Sequence, residues 1–249
     1  ENSLKAVALF DEVINKIKND KYSLYRAAAY KGMGNAYLLA AKVRDMEKTS
    51  PKALNALNEA IKIYQKEKYP LEYADAQYYV AIVNINLAFS KNGNEYLLKA
   101  LDACDNALSA YKIKNDIKGY AMIKYCQGMI FESIYCLNND ETYLLKAFDA
   151  FNEALKTITI KVDPNTYSYI KLCMGQLYQY LAYKEPSLGH LDSAIKCYNE
   201  ALEVLTISKN PFGYANAQEQ IGTVYLQNIS EENCPKAVSA FKEALKVLT

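Results

Sequence analysis

The sequence predicts an all-α protein, a solenoid of antiparallel helix pairs with eleven helices, and three observations predict it. Versions of residues 146–158, KAFDAFNEALKTI, recur along the chain. Their first alanines fall at Ala6, Ala53, Ala100, Ala147, Ala194 and Ala237, four spacings of 47 residues and a last one of 43. Four residues on come Phe10, Leu57, Cys104, Phe151, Tyr198 and Phe241, and seven on come Val13, Ala60, Ala107, Ala154, Ala201 and Ala244. That spacing puts all three markers on one stripe of a helix, and alternating small and bulky residues suit a tight helix–helix seam. A second series keeps the same period: Arg26, Tyr73, Tyr120, Tyr167 and Tyr214, then Gly34, Ala81, Gly128, Gly175 and Gly222, then Tyr37, Asn84, Phe131, Tyr178 and Tyr225. A fixed period of this length means a stack of supersecondary units rather than a count of ordinary domains.

The elements follow in order. Residues 3–18 carry a lone Ala-marked helix, helix B, with Ser3 placed to cap it. From Tyr22 the Gly-marked helix, helix A, begins, and five A–B pairs occupy approximately 22–66, 70–114, 117–160, 164–208 and 211–249 of one repeat domain spanning 1–249. Pro70, Pro164 and Pro211 each stand three residues before the helix A tyrosine, where proline fits a first turn, and Asp163 and Asn210 precede two of them as caps. Helix A is expected to run for 18–22 residues, then give way to polar connectors such as Lys91, Asn92, Gly93 and Asn94, or Asn138, Asn139, Asp140 and Glu141. The connector at 186–192 reads PSLGHLD, and the one at 230–235 carries the four-residue deletion, which should leave both flanking helices intact. A glycine inside a helix costs roughly 1 kcal/mol relative to alanine. Its recurrence predicts close approach of a neighbouring helix backbone. Strand signals are absent, and the 23 tyrosines follow the helical stripes.

Composition narrows the function. Apolar residues make up 51%, enough for a continuous core, and 29 basic against 28 acidic residues leave a net charge of +1. No basic excess or stripe marks a nucleic-acid partner. The six cysteines lack metal-ligand spacing; several fall on the stripes, where cysteine acts as a small apolar residue, as suits a reducing compartment. No apolar run reaches the ~18 residues of a membrane span, so the expected location is cytoplasmic, without membrane contact. The abrupt start at Glu1, Asn2 and Ser3 and the apolar last helix, with Ala237, Val238, Phe241, Ala244, Leu245, Val247 and Leu248 before Thr249, lead us to expect a fragment of a longer chain or an end that associates with itself or a neighbouring domain.

A pair of helices with Gly then Tyr three later on the first, and Ala, bulky, Ala at 0, +4 and +7 on the second, resembles the tetratricopeptide repeat (TPR) family. The best copies are GQLY at 175–178 with SAIKCYNEAL at 193–202, and GTVY at 222–225 with KAVSAFKEAL at 236–245. The period is longer than the family's usual 34 residues, by roughly two turns per helix. The resemblance implies a right-handed superhelix with a concave face lined by A helices. Transferred to this chain, the groove positions are Lys31, Tyr78, Tyr125, Leu172 and Glu219, then Asn35, Ile82, Met129, Gln176 and Thr223, then Leu38, Ile85, Glu132, Gln179 and Leu226. Some members clamp a terminal carboxylate with Lys and Asn. Lys31 and Asn35 match the first pair of that clamp, but Tyr79, Tyr125 and Met129 stand at its other sites, so a clamp is not expected.

No catalytic constellation emerges. His190 is a lone histidine in the SLGHLD connector. Cys126 and Cys173, in equivalent positions, lack an activating neighbour. Glu59, Glu153, Glu200 and Glu243 recur at one place in each unit, as a solvated face with i, i+3 partners such as Lys156 and Lys246 would. Phosphate-loop, zinc-protease and nucleophile-elbow motifs are missing. The expectation is a non-catalytic scaffold, without cofactor or metal, holding a peptide or protein segment in its A-helix groove. Two others stand beside it: a ligand-sensing segment of a larger signalling or transcription protein, and a self-assembling architectural module.

Overall fold

The structure, a computed structural model, describes residues 2–41, 46–89, 92–114, 116–185 and 188–247. Lys91, Pro186, Leu248 and Thr249 lie outside the described residues. Among those described are eleven α-helices and no strand: α1 (Asn2–Lys16), α2 (Ser23–Ala41), α3 (Met46–Ile63), α4 (Pro70–Ala88), α5 (Gly93–Lys114), α6 (Ile117–Asn138), α7 (Glu141–Leu155), α8 (Pro164–Lys184), α9 (Leu188–Leu202), α10 (Pro211–Gln227) and α11 (Asn233–Leu245). The even-numbered helices are the A helices. They form two compact units, Glu1–Tyr143 and Leu144–Thr249. The boundary falls inside α7, where no change of period marks it.

Local chemistry sets the helix starts. Pro70, Pro164 and Pro211 occupy the first turns of α4, α8 and α10, where a missing N–H costs nothing. Asp163 Oδ1 accepts from Thr166 N at 3.0 Å and Asn210 Oδ1 from Gly213 N at 2.9 Å; Asp116 caps α6 in the same way. Ser3, in contrast, lies inside α1, which starts at Asn2. Asn92 and Asn139, one period apart, take left-handed φ of 65° and 55° in the two connectors around α5 and α6. The four-residue deletion is not confined to a loop: α10 has 17 residues against 21 in α8, so it shortens helix A by about a turn.

The marker stripes are the seams. Ala53, Leu57 and Ala60, Ala100, Cys104 and Ala107, Ala147, Phe151 and Ala154, and Ala194, Tyr198 and Ala201 are all buried. On α1, which among the described residues packs on α2 alone, Val13 is exposed. Three marker glycines of the A helices, Gly34, Gly175 and Gly222, meet the bulky marker of helix B. A β-carbon at Gly34 would stand 2.6 Å from Leu57 Cγ, one at Gly175 2.5 Å from Tyr198 Cε1, and one at Gly222 2.7 Å from Phe241 Cε1. The nearest atoms at all three are those of a side chain rather than of a helix backbone as the sequence suggested; at Gly34 a backbone atom, Ala53 O at 3.3 Å, comes close as well. Where the A marker is Ala81, the B marker is the smaller Cys104, and both are fully buried in one cluster. Volume is conserved across the seam, as close packing requires. Burying one Leu-sized marker contributes roughly 1.5–3 kcal/mol.

Successive A helices also touch, α2 with α4, α4 with α6, and α8 with α10, whereas among the described residues α3 makes no such approach to α1 or α5, nor α9 to α11. Each unit thus has a tighter A layer and a looser B layer.

Candidate functional site

The A layer carries the groove positions. Residues four apart lie one above the other on a helix, so Lys31 and Asn35 on α2, Tyr78 and Ile82 on α4, and Tyr125 and Met129 on α6 form three vertical pairs on packed helices of the first unit. All six are half-buried. In the second unit Leu172 and Gln176 lie on α8, Glu219 and Thr223 on α10; Gln176 and Glu219 are exposed. Gln176 Nε2 donates to Tyr180 Oη at 2.7 Å, and Thr223 Oγ1 to Glu219 O at 3.0 Å.

The third set belongs mostly elsewhere. Leu38, Ile85 and Gln179 are buried, Glu132 is half-buried and Leu226 exposed. A residue four after the Gly marker shares that marker's face, which looks at helix B. Gln179 accepts the hydroxyl hydrogen of buried Tyr198 at 2.5 Å and so serves the core.

Two side chains on the A face are tied to structure. Lys31 Nζ stands 3.2 Å from Asp75 Oδ2, and Tyr111 Oη donates to Asp75 Oδ1 at 2.8 Å, so Asp75 joins α2, α4 and α5. Burial, followed by the charge and hydrogen bond of Asp75, raises the Tyr111 hydroxyl pKa. Tyr78 packs against the core cluster around Cys104 and Cys126, and its hydroxyl pKa is raised by burial first. In the second unit Lys171 pairs with Glu200 at 2.6 Å with both side chains largely buried. Glu200 therefore departs from the solvated face expected of it, while Glu59, Glu153 and Glu243 pair with Lys62, Lys156 and Lys246 on the surface.

Two buried thiols, Cys104 and Cys197, are poorly placed for chemistry. Cys126 is buried beside Cys104, which hydrogen-bonds it; that bond and burial push the Cys104 pKa up. Burial pushes the Cys197 thiol up to about 11. The Cys104 and Cys197 thiols therefore stay protonated at neutral pH and are weak nucleophiles. His190 is in the first turn of α9, not in a connector. No group of three or more His, Cys, Asp or Glu among the described residues is arranged to hold a metal ion. No described helix is long and apolar enough to cross a membrane.

A cavity of about 620 Å³ opens on the opposite layer, in the seam between α3 and α5. Leu54 and Asn58 of α3, Val80 and Asn84 of α4, and Leu98 and Asp102 of α5 contribute to its wall. Asn84 is 3% exposed; its Nδ2 donates to Val80 O at 2.9 Å, and its Oδ1 has no partner. An orphaned buried acceptor costs about 1–3 kcal/mol. The sequence held the signal: Asn84 is the one amide in the series Tyr37, Asn84, Phe131, Tyr178 and Tyr225. No protein-family model and no curated protein matches the chain, so the tetratricopeptide resemblance stands on its residue pattern.

Proposed function

We propose that this chain is a tetratricopeptide-like, non-catalytic scaffold that docks a peptide or protein segment on its A-helix face. The observation that carries the reading is the asymmetry of the layers within each unit: among the described residues α2 touches α4, α4 touches α6 and α8 touches α10, whereas α3 approaches neither α1 nor α5 and α9 does not approach α11. A pre-packed face lets a segment bind without the scaffold itself having to order. On the first unit Tyr78, Ile82, Tyr125 and Met129 supply apolar and aromatic surface and Asn35 a polar anchor, a mixture suited to an amphipathic segment; on the second, Gln176, Glu219 and Thr223 supply polar anchoring. Nucleic acid is not the expected partner, since the charge is balanced.

The test is capture of partners from native extract by the chain and by a variant with Asn35, Gln176 and Glu219 changed to alanine. Loss of a partner with the helical signal intact supports docking on this face. Retention of every partner by that variant, with loss on changing Glu59 and Lys62 of the B layer, overturns it.

A second reading, self-association, is favoured by Val238 and Leu245, exposed on α11 at 52% and 56%. Size that grows with concentration and returns to monomer on Val238→Lys would establish that reading.

A further inference from the structure

We propose that Asn92 is a site of spontaneous covalent modification: the backbone nitrogen of Gly93 displaces its side-chain amide, leaving an aspartyl or isoaspartyl residue at the turn between α4 and α5. The site lies in a connector, apart from the docking face proposed above, and needs neither that face nor its partner.

The first argument is that the fold selects both residues. Asn92 holds φ at 65°, a region that glycine enters freely and, among residues with a side chain, asparagine enters most readily. Gly93, the first residue of α5, has no room for a β-carbon, which would stand 2.8 Å from Ala88 O and 3.1 Å from Leu137 Cδ1. Packing therefore favours Asn followed by Gly, a dipeptide that occurs once in the sequence. It is also the dipeptide in which the attacking nitrogen is least shielded, because glycine puts no side chain beside it.

The second argument is that the reacting groups are uncommitted. Asn92 is exposed, and its side chain makes no hydrogen bond to the described residues. The Gly93 N–H belongs to the first turn of α5, whose N–H groups have no partner within the helix. Asn92 O accepts from Glu95 N at 3.0 Å and from Tyr96 N at 3.4 Å. Bringing the nitrogen round to Cγ turns Asn92 about its Cα–C bond and breaks those two contacts, an opening of one helix end that leaves the core in place. Asn139 is the comparison within the chain. It has the same left-handed backbone, φ 55°, but Asp140 follows it, with a side chain that accepts from Thr142 N and Thr142 Oγ1.

The chemistry needs only water. The Gly93 nitrogen gives up its proton and bonds to Asn92 Cγ, the bond from Cγ to the amide nitrogen breaks, and ammonia leaves a cyclic imide. Water then opens the imide. Attack at Cγ restores the ordinary main chain with an aspartyl side chain; attack at the backbone carbonyl routes the main chain through Cγ as isoaspartyl. The aspartyl product places a negative charge before α5, where the helix dipole favours it. The isoaspartyl product adds a methylene to the main chain immediately before Gly93, which disturbs its packing on Leu137 of α6 and the bond from Asn94 Nδ2 to Asn138 Oδ1 at 3.0 Å.

The test is incubation of the whole folded chain for several weeks at physiological temperature and mildly alkaline pH, followed by peptide mapping with mass spectrometry. The expected result is a gain of about one dalton in the peptide that carries Asn92, at least about tenfold faster than at Asn139, where a β-carbon follows. The gained mass should divide between aspartyl and isoaspartyl forms, and its rate should climb with pH, because the attacking nitrogen must shed its proton. Asn92→Gly keeps the left-handed backbone and should abolish the gain at this peptide with the melting temperature retained. The comparison of Asn92 with Asn139 is made within one chain, so it stands even if that variant fails to fold. The proposal is overturned if Asn92 is unmodified after the incubation, if Asn92 and Asn139 react at equal rates, or if the product is aspartyl alone, which would mean direct hydrolysis without the imide.

Discussion

Tyr198 seats its ring against the backbone of Gly175, so that a β-carbon there would stand 2.5 Å from Cε1, while its hydroxyl donates to Gln179 one turn along the same helix at 2.5 Å. Shape and polarity are matched in one contact. The fully buried ring leaves Gly175 as the residue that fits beneath it.

Gly175→Leu should therefore destabilise the second unit by about 1–3 kcal/mol or more through overpacking. Tyr198→Phe leaves Gln179 Oε1 without that donor and should cost about 1–3 kcal/mol. Urea unfolding followed by circular dichroism measures both. An unchanged midpoint for Gly175→Leu would refute the pairing of α8 with α9 described above.

Stability should fall as pH rises from about 10. Burial raises the hydroxyl pKa of Tyr64, Tyr78 and Tyr111 above the ordinary tyrosine value of 10.0. The unfolded chain then loses these protons first, so the folded state keeps its full advantage below pH 10 and loses it progressively above. Lys171 acts in the same direction. Burial lowers its pKa, but the hydrogen bond and charge of Glu200 outweigh that and leave it raised above 10.5. Denaturant midpoints between pH 8 and pH 11.5 should decline, and Tyr111→Phe should make the decline shallower. A flat profile would contradict the burial of these hydroxyls.

Asp75 holds Lys31 and Tyr111, but its side chain is 50% exposed, so solvent screens the charge. Lys31→Met should cost less than about 1 kcal/mol, an effect that shrinks at high salt. Asp75→Ala also removes the acceptor of Tyr111 and should cost more. A double-mutant cycle on Lys31 and Asp75 measures the pair directly.

Asn139 sits at φ 55° with its N–H donating to Tyr135 O at 2.7 Å, ending α6. Asn139→Gly should be neutral or mildly stabilising. Asn139→Val should cost about 1–2 kcal/mol, because a β-branched residue resists the left-handed region. Thermal melts of the two variants give the comparison.

Asn84→Tyr should also be stabilising, by about 0.5–2 kcal/mol, because it fills a cavity and deletes an orphaned acceptor. A lower melting temperature would mean that the space beside Asn84 does not fit the ring found in the other repeats.

The groove positions were only partly legible. Asn35, Gln176 and Glu219 lie on accessible A surface, but Lys31 is drawn to Asp75 and Tyr78 leans on the core, so truncating Tyr78 would test stability together with binding. Leu38, Ile85 and Gln179 were misplaced because a step of four residues from a core-facing marker returns to the core face. Glu200 was misread for a different reason: the side chain that pairs with it, Lys171, comes from another helix.

What the sequence determined by itself is everything local. A period of 47 residues, prolines at first turns, caps such as Asp163 and Asn210, and stripes at 0, +4 and +7 fix where helices begin and which face of each is buried, since these depend on neighbours within a few residues. Only the tertiary structure decided which distant groups meet. Lys31 and Asp75 are 44 residues apart, Asp75 and Tyr111 are 36, and the cavity beside Asn84 is walled by α3, α4 and α5 together. Those outcomes depend on the stagger and spacing of packed helices, which set distances between side chains that no local period contains.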